Sequence, residues 1–376
     1  MNSRKRFEYV MTHRQPDRVA IDMGGTCLTG MRPQCADRLR EVLGFPALSD
    51  ARGIDENIMK WAGADFRAVG DICDLPPFSR QISETERVSC WGFGKRLCSG
   101  EWQTVVHPLR DASRDDLKSY PWPEPRIDEK QLLQWEKQAK SLKRRNEHVV
   151  VANHPVFGIL ELGCWLCGYD DFLAKMAFDP DFVKDFFEIV LKIQIKVGET
   201  YYTALRPYVD LTTSGDDFGM QQSPLISPEM FAGLVAPYFS ERIRQAKKHA
   251  HCYYWHHSCG SIFKLLRQII GCGVDIINPV QTSAAQMEPR LLKKTFGDAV
   301  VFWGAMDVQQ FLPRASACET AAHARALVDI LGRDGGYVMA PAHQIQDDVP
   351  AENIIAWIEA VRDYKFRAKA YDENSP

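Results

Sequence analysis

Residues 250–307, AHCYYWHHSCGSIFKLLRQIIGCGVDIINPVQTSAAQMEPRLLKKTFGDAVVFWGAMD, decide the fold. Three short runs, Ala250–Trp255, Val274–Ile277 and Val300–Trp303, are almost wholly β-branched, aromatic or aliphatic. Such unbroken runs mark strands covered on both faces. Ile262–Ile270 and Pro289–Thr295 lie between them and carry apolar residues at helical spacing. The same beat recurs at Phe66–Val69, Val149–Ala152, Tyr208–Thr212 and Tyr337–Met339. Strand alternating with helix predicts a mostly parallel sheet. These seven strands, with Ala20–Asp22 or an unrecognised segment as the eighth, fit a (β/α)8 barrel better than an open sheet, because no Gly-x-Gly-x-x-Gly follows any of them.

Punctuation along the chain agrees. Ser3 is placed to cap a first helix running toward Thr12, and Gln15-Pro16-Asp17 ends it. Ser227-Pro228-Glu229 is a helix start: a hydroxyl cap, a proline in the first turn and an acid near the positive end of the dipole. Pro350-Ala-Glu-Asn353 opens a last helix over Ile354–Lys365. Arg87–His107 breaks the beat. It carries Trp91-Gly-Phe-Gly and the alternating Glu101-Trp-Gln-Thr-Val-Val, and it predicts an inserted β-hairpin acting as a flap. The whole chain, 1–376, is expected to form one barrel domain, with residues 1–60 as an N-terminal helical extension, 87–107 as the insertion and Tyr371–Pro376 as a frayed tail.

Composition sets limits. With 45% apolar and 25% charged residues the chain is globular, and a formal charge of -3 gives no basic footprint for nucleic acid. No apolar run approaches the roughly 18 residues of a membrane span, and no signal-peptide core follows Met1, so a cytoplasmic protein is expected. Eleven cysteines, an odd count, read as reduced thiols rather than a disulfide framework.

In a barrel, functional groups collect past the C-terminal ends of the strands. Nearly every strand exit here presents such a group: Asp216 and Asp217, His257 and Cys259, Asn278 and Gln281, Asp307, and His343. An imidazole and a thiol two residues apart in an extended segment point to one side and can grip one ion. Both suit zinc, and His343 is the natural third ligand. The competing reading is a buried thiol beside two hydrogen-bonded histidines. Asp216 and Asp217 can serve as acid, base or cation clamp, or simply cap backbone amides. Cys164 and Cys167, in C-x-x-C spacing without a second pair, read as core thiols.

The order of these segments resembles the uroporphyrinogen decarboxylase superfamily, and within it the corrinoid (cobalamin)-dependent methyltransferase branch. The resemblance rests on His13-Arg-Gln-Pro-Asp-Arg18-Val, Ser214-Gly-Asp-Asp-Phe-Gly-Met-Gln221, Pro224-Leu-Ile-Ser-Pro-Glu229 and His257-Ser-Cys259-Gly260. It continues through Asn278-Pro-Val-Gln281, Phe302-Trp-Gly-Ala-Met-Asp307, Gly335-Gly-Tyr-Val-Met-Ala-Pro-Ala-His343 and Asp348-Val-Pro-Ala-Glu-Asn353. It implies a distorted (β/α)8 barrel and a zinc ion held by His257, Cys259 and, where the family carries a later cysteine, His343. Glu161 is the further ligand the family suggests.

The implied activity is zinc-dependent methyl transfer between a corrinoid and a small thiol, amine or methoxylated substrate. Asp217, Asp307, Gln281 and Asp216 would orient substrate or move protons. The corrinoid would come on a partner protein or bind free, since the chain has no Asp-x-His-x-x-Gly segment, and a homodimer is possible within the resemblance. Trp165 and Trp303 are candidates to line an aromatic pocket, and the flap is a candidate gate or docking surface.

The alternative is a metal-independent decarboxylase or lyase of the same superfamily acting on a small carboxylic acid. Tetrapyrrole decarboxylation is disfavoured. The segment Asp22-Met-Gly-Gly-Thr-Cys-Leu-Thr-Gly30 holds no arginine where that enzyme grips its many carboxylates.

Overall fold

The computed structural model describes residues 1–48, 53–70, 80–98 and 100–366. The tail Tyr371–Pro376 lies outside them. The strands are β1 (Ala20–Ile21), β2 (Phe66–Val69), β3 (Arg80–Ser83), β4 (Glu86–Val88), β5 (Gly94–Cys98), β6 (Glu101–Val106), β7 (Val149–Ala152), β8 (Leu211–Thr212), β9 (Tyr253–His257), β10 (Ile276–Val280), β11 (Val301–Met306) and β12 (Tyr337–Pro341).

Eight of them form a parallel sheet in the order β1-β12-β11-β10-β9-β8-β7-β2, with helices outside: a (β/α)8 barrel. The eighth strand is Ala20–Ile21, paired with β12. Among the described residues the seam between β1 and β2 has no strand ladder, and Asp65 bridges it. Its backbone N–H donates to the Ile21 carbonyl at 2.8 Å, and its carboxylate accepts the Ile21 N–H at 2.9 Å. The same buried carboxylate is paired with Arg6 at 2.6 Å and Arg18 at 2.9 Å, so neither charge is left alone in the interior.

Side chains alternate across each strand. Phe66, Val149, Val151, Leu211, Trp255, Ile276, Val301, Trp303 and Val338 pack inside the barrel. The helix Ser3–Met11 closes the end of the barrel opposite the strand exits, with Phe7 edge-on to Phe66 and Tyr253. Its cap is Asn2, whose Oδ1 accepts the Lys5 N–H, and Ser3 is already helical.

Boundaries shift where local rules compete. β9 starts at Tyr253 because the helix Ala236–Ala250 runs to Ala250 and ends on a left-handed His251. β8 shrinks to Leu211–Thr212 because Tyr208 and Val209 turn out of the long helix Pro180–Leu205. Ser227 caps its helix as expected, accepting the Met230 N–H, but a π-turn at Phe231–Val235 follows. Pro237 explains it: a proline there has no N–H to give the preceding turn. The last helix spans Ala351–Arg362.

The insertion is larger than one hairpin. β3 to β6 form a four-stranded antiparallel sheet in sequential order, starting at Arg80. Among the described residues no helix is long and apolar enough to cross a membrane.

Candidate functional site

Three groups converge at the strand exits. His257 ends β9, Cys259 follows it, and His343 lies just past β12. One ligand atom from each falls within 4.8 Å of the other two. Among the described residues this is the cluster of histidine, cysteine and acidic side chains able to hold a metal ion.

The local structure prepares each group. Asn278, opposite His257 in the β9–β10 register, donates through Nδ2 to the Trp303 carbonyl at 3.3 Å. That fixes the amide, so Oδ1 faces His257 and accepts its Nδ1–H at 2.6 Å. The Nε2 lone pair is then directed at Cys259, whose Sγ lies 3.2 Å away. An S–H donating to Nε2 occupies the line along which an ion would be shared. Fixing a ligand's tautomer through its other ring nitrogen is how outer groups tune metal sites.

The loop bearing Cys259 is held from below. Its N–H donates to Asp217 Oδ1 at 2.8 Å, and the Gly260 N–H donates to Gln281 Oε1 at 2.7 Å. Gln281 also donates to Gln221 at 3.3 Å. Asp217 Oδ1 is 3.8 Å from His257 Nε2. Burial and the neighbouring His257 press His343 down to about 4, so its imidazole is neutral and available as a ligand. Burial, with Asp217 and Glu161 nearby, pushes the Cys259 thiol up; a bound cation would oppose that.

The other candidates have different settings. Glu161 is outside the three-residue cluster. It is half-buried, takes the Asp217 backbone N–H, and desolvation with Asp217 and Asp216 nearby holds its carboxyl well above the usual range. Asp216 is fully buried and accepts the N–H groups of Leu160 at 3.2 Å and Glu161 at 2.9 Å, capping the helix Ile159–Cys167. Burial raises it to about 6. Gly158 makes room for it, since a Cβ there would meet the carboxylate at 2.3 Å. Asp307 accepts the N–H groups of Gln309 at 2.7 Å and Gln310 at 3.1 Å, folding the turn after β11. Ahead of it Gly304, at φ +117°, brings β11 close to Val280.

Trp303 does not line a pocket. It is fully buried inside the barrel, beside Val301 on the inward face of β11, and its Nε1 donates to Asp22 at 3.0 Å. Trp165 packs against Phe93 of the insertion and Phe157, with Lys95 Nζ 4.7 Å from its ring centre. Cys164 and Cys167 are both buried.

The sequence reading marks Asn278 only as a strand end and passes over His154 and Cys27. His154 and Cys27 follow strand exits, which is the signal that could have found them, whereas Asn278 lies within β10. A depression of about 890 Å³ opens at the opposite end of the barrel, but its Arg4, Lys143 and Lys247 are each paired with Asp210 or Asp275. The chemistry therefore belongs to the strand-exit face.

A parallel eight-stranded barrel with polar groups gathered at one mouth defines the class of barrel enzymes. The uroporphyrinogen decarboxylase (URO-D) family model matches residues 99–364, and the chain belongs to that family. A methyltransferase from Methanosarcina mazei has a similar structure, with a TM-score of 0.64 at 15% identity, covering 96% of this chain and 98% of that one. Xylanase 10B from Thermotoga maritima is more distant, with a TM-score of 0.38 at 12% identity over 63% of this chain and 80% of its own. No curated protein sequence matches the chain.

Proposed function

We propose that the protein is a zinc-dependent methyltransferase that moves a methyl group between a corrinoid and a small thiol, amine or methoxylated substrate. The observation that carries this reading is the cluster of His257, Cys259 and His343, with ligand atoms within 4.8 Å and His257 held in the ligand-ready tautomer by Asn278. Two imidazoles and a thiol suit zinc, and three protein ligands leave a fourth position for substrate. The family and the methyltransferase fold neighbour are in keeping with it.

His257, Cys259 and His343 would hold the ion, which supplies Lewis acidity toward a thiol or a methoxy or amine donor. The protein's own groups do the rest. Asp217, half-exposed beside His257, would take the proton of an arriving thiol or return it to a leaving group. Its hydrogen bond to the Cys259 amide keeps it beside that thiol. Gln281 fixes the Gly260 amide and, with it, the loop's approach to the mouth. Asp216 and Asp307 act on backbone, holding the helix with Glu161 and the turn after β11. The corrinoid is a substrate in this account, delivered on a partner protein or free.

The direct test is methyl transfer from methylcobalamin to a panel of small thiols, with zinc-loaded wild type and a Cys259→Ala variant. Transfer by wild type and its loss in the variant is the expected result. Absence of transfer, with carbon dioxide released from a small carboxylic acid by metal-free protein, would favour the decarboxylase reading instead.

A further inference from the structure

One buried imidazole at the same mouth has no part in the account so far. His154 follows β7, Thr213 follows β8, and Cys27 comes from the segment after β1. Leu211 points into the barrel, so Thr213 and Gly215, two and four residues on, share its face. The His154 ring lies along that face. Its Nδ1 is 2.9 Å from Thr213 Oγ1, and its Nε2 is 3.8 Å from where a Cβ on Gly215 would stand.

We infer that His154 is a fixed hydrogen-bond donor into the barrel mouth, presenting Nε2–H to an acceptor oxygen of the substrate. The inference rests on the mouth being the substrate site, as in the reading above, but not on the metal or the reaction.

The proton's place follows from counting. A threonine hydroxyl has one proton and two lone pairs. The His154 backbone N–H fills one lone pair of Thr213 Oγ1 at 3.0 Å, and the Cys27 thiol approaches the other at 3.9 Å. The hydroxyl proton can go to Nδ1 at 2.9 Å or to the sulfur at 3.9 Å, and the imidazole nitrogen is both nearer and the stronger acceptor. Nδ1 therefore accepts, and the ring proton is on Nε2. No described protein group pairs with Nε2. Burial, with Arg242 and His257 nearby, lowers the ring to about 3, so it remains uncharged through the neutral range. A neutral donor so placed polarises a carbonyl, carboxylate or methoxy oxygen without giving up its proton.

The test is long-range proton–nitrogen NMR on protein labelled at the histidine rings, with His154→Gln used to assign the signals. The expected spectrum has Nε2 protonated and Nδ1 bare, unchanged from about pH 5.5 to about pH 8.5. Thr213→Val should shift the ring toward the Nδ1–H form, and Thr213→Ser should not. Acetate, added as a probe acceptor, should move the Nε2 proton downfield and saturably. An Nδ1–H tautomer in wild type, a titration within that range, or an Nε2 proton indifferent to acetate would overturn the inference. Protein that gives the expected spectrum but carries no zinc and takes up none when it is supplied would sink the zinc reading alone.

Discussion

Asn278 and His257 stand opposite each other on neighbouring strands, and the Asn278 carboxamide oxygen takes the His257 Nδ1 proton at 2.6 Å. Because the Asn278 amide nitrogen is engaged by the Trp303 carbonyl, the pair has one orientation. Replacing Asn278 by Ala frees the tautomer of His257 without touching a ligand. Zinc affinity should fall by about 10- to 100-fold, the usual cost of losing such an outer partner, measured by competition with a chromophoric chelator.

The Asp65 seam predicts a stability effect far from the mouth. Asp65→Ala leaves Arg6 and Arg18 without their buried partner and removes the Ile21 contact. Unfolding free energy should drop by about 3–5 kcal/mol in urea titrations. A loss below about 1 kcal/mol, the range of an exposed ion pair, would mean the seam is closed by strand packing alone.

Gly158 tests how Asp216 is seated. In Gly158→Ala the new methyl meets the carboxylate, which must leave the N–H groups of Leu160 and Glu161. The expected cost is about 1–3 kcal/mol, as for other overpacked sites. Thermal unfolding of Gly158→Ala beside Gly158→Ala/Asp216→Ala checks the cause, since the double variant relieves the clash.

Acid sensitivity follows from His154. Its folded value near 3 lies below the ordinary 6.5, so the unfolded chain takes up a proton first as pH falls. The group therefore contributes its full share above about pH 6.5 and loses it progressively toward about pH 3. At pH 5 the loss from this one group is about 2 kcal/mol. Urea titrations at about pH 7.5 and about pH 5 should show that His154→Gln loses less stability than wild type over the interval, by about that amount.

How far the sequence carries depends on whether a feature is local. Seven barrel strands are legible because burial on both faces leaves continuous apolar runs such as Val149–Ala152, whereas the two-residue Ala20–Ile21 is too short to single out from another extended segment. The insertion is only half legible: Arg80–Ser83 is an exposed strand whose side chains carry no alternation to read. His257, Cys259 and His343 are legible as strand-exit residues of metal-binding type. The roles of Asn278 and Thr213 are not, because each depends on a register between strands that are far apart in sequence. Asp216 and Asp307 show the converse. A loop carboxylate looks the same in sequence whether it faces substrate or caps a turn, and here both take backbone N–H groups.

The central claim is a metal held by His257, Cys259 and His343. The measurement is metal content by plasma mass spectrometry on wild type and on a His257→Ala/Cys259→Ala variant shown to be folded by circular dichroism. Near-stoichiometric zinc in wild type and none in the variant is the predicted result. Folded wild type that carries no zinc and takes up none when it is supplied would contradict the account.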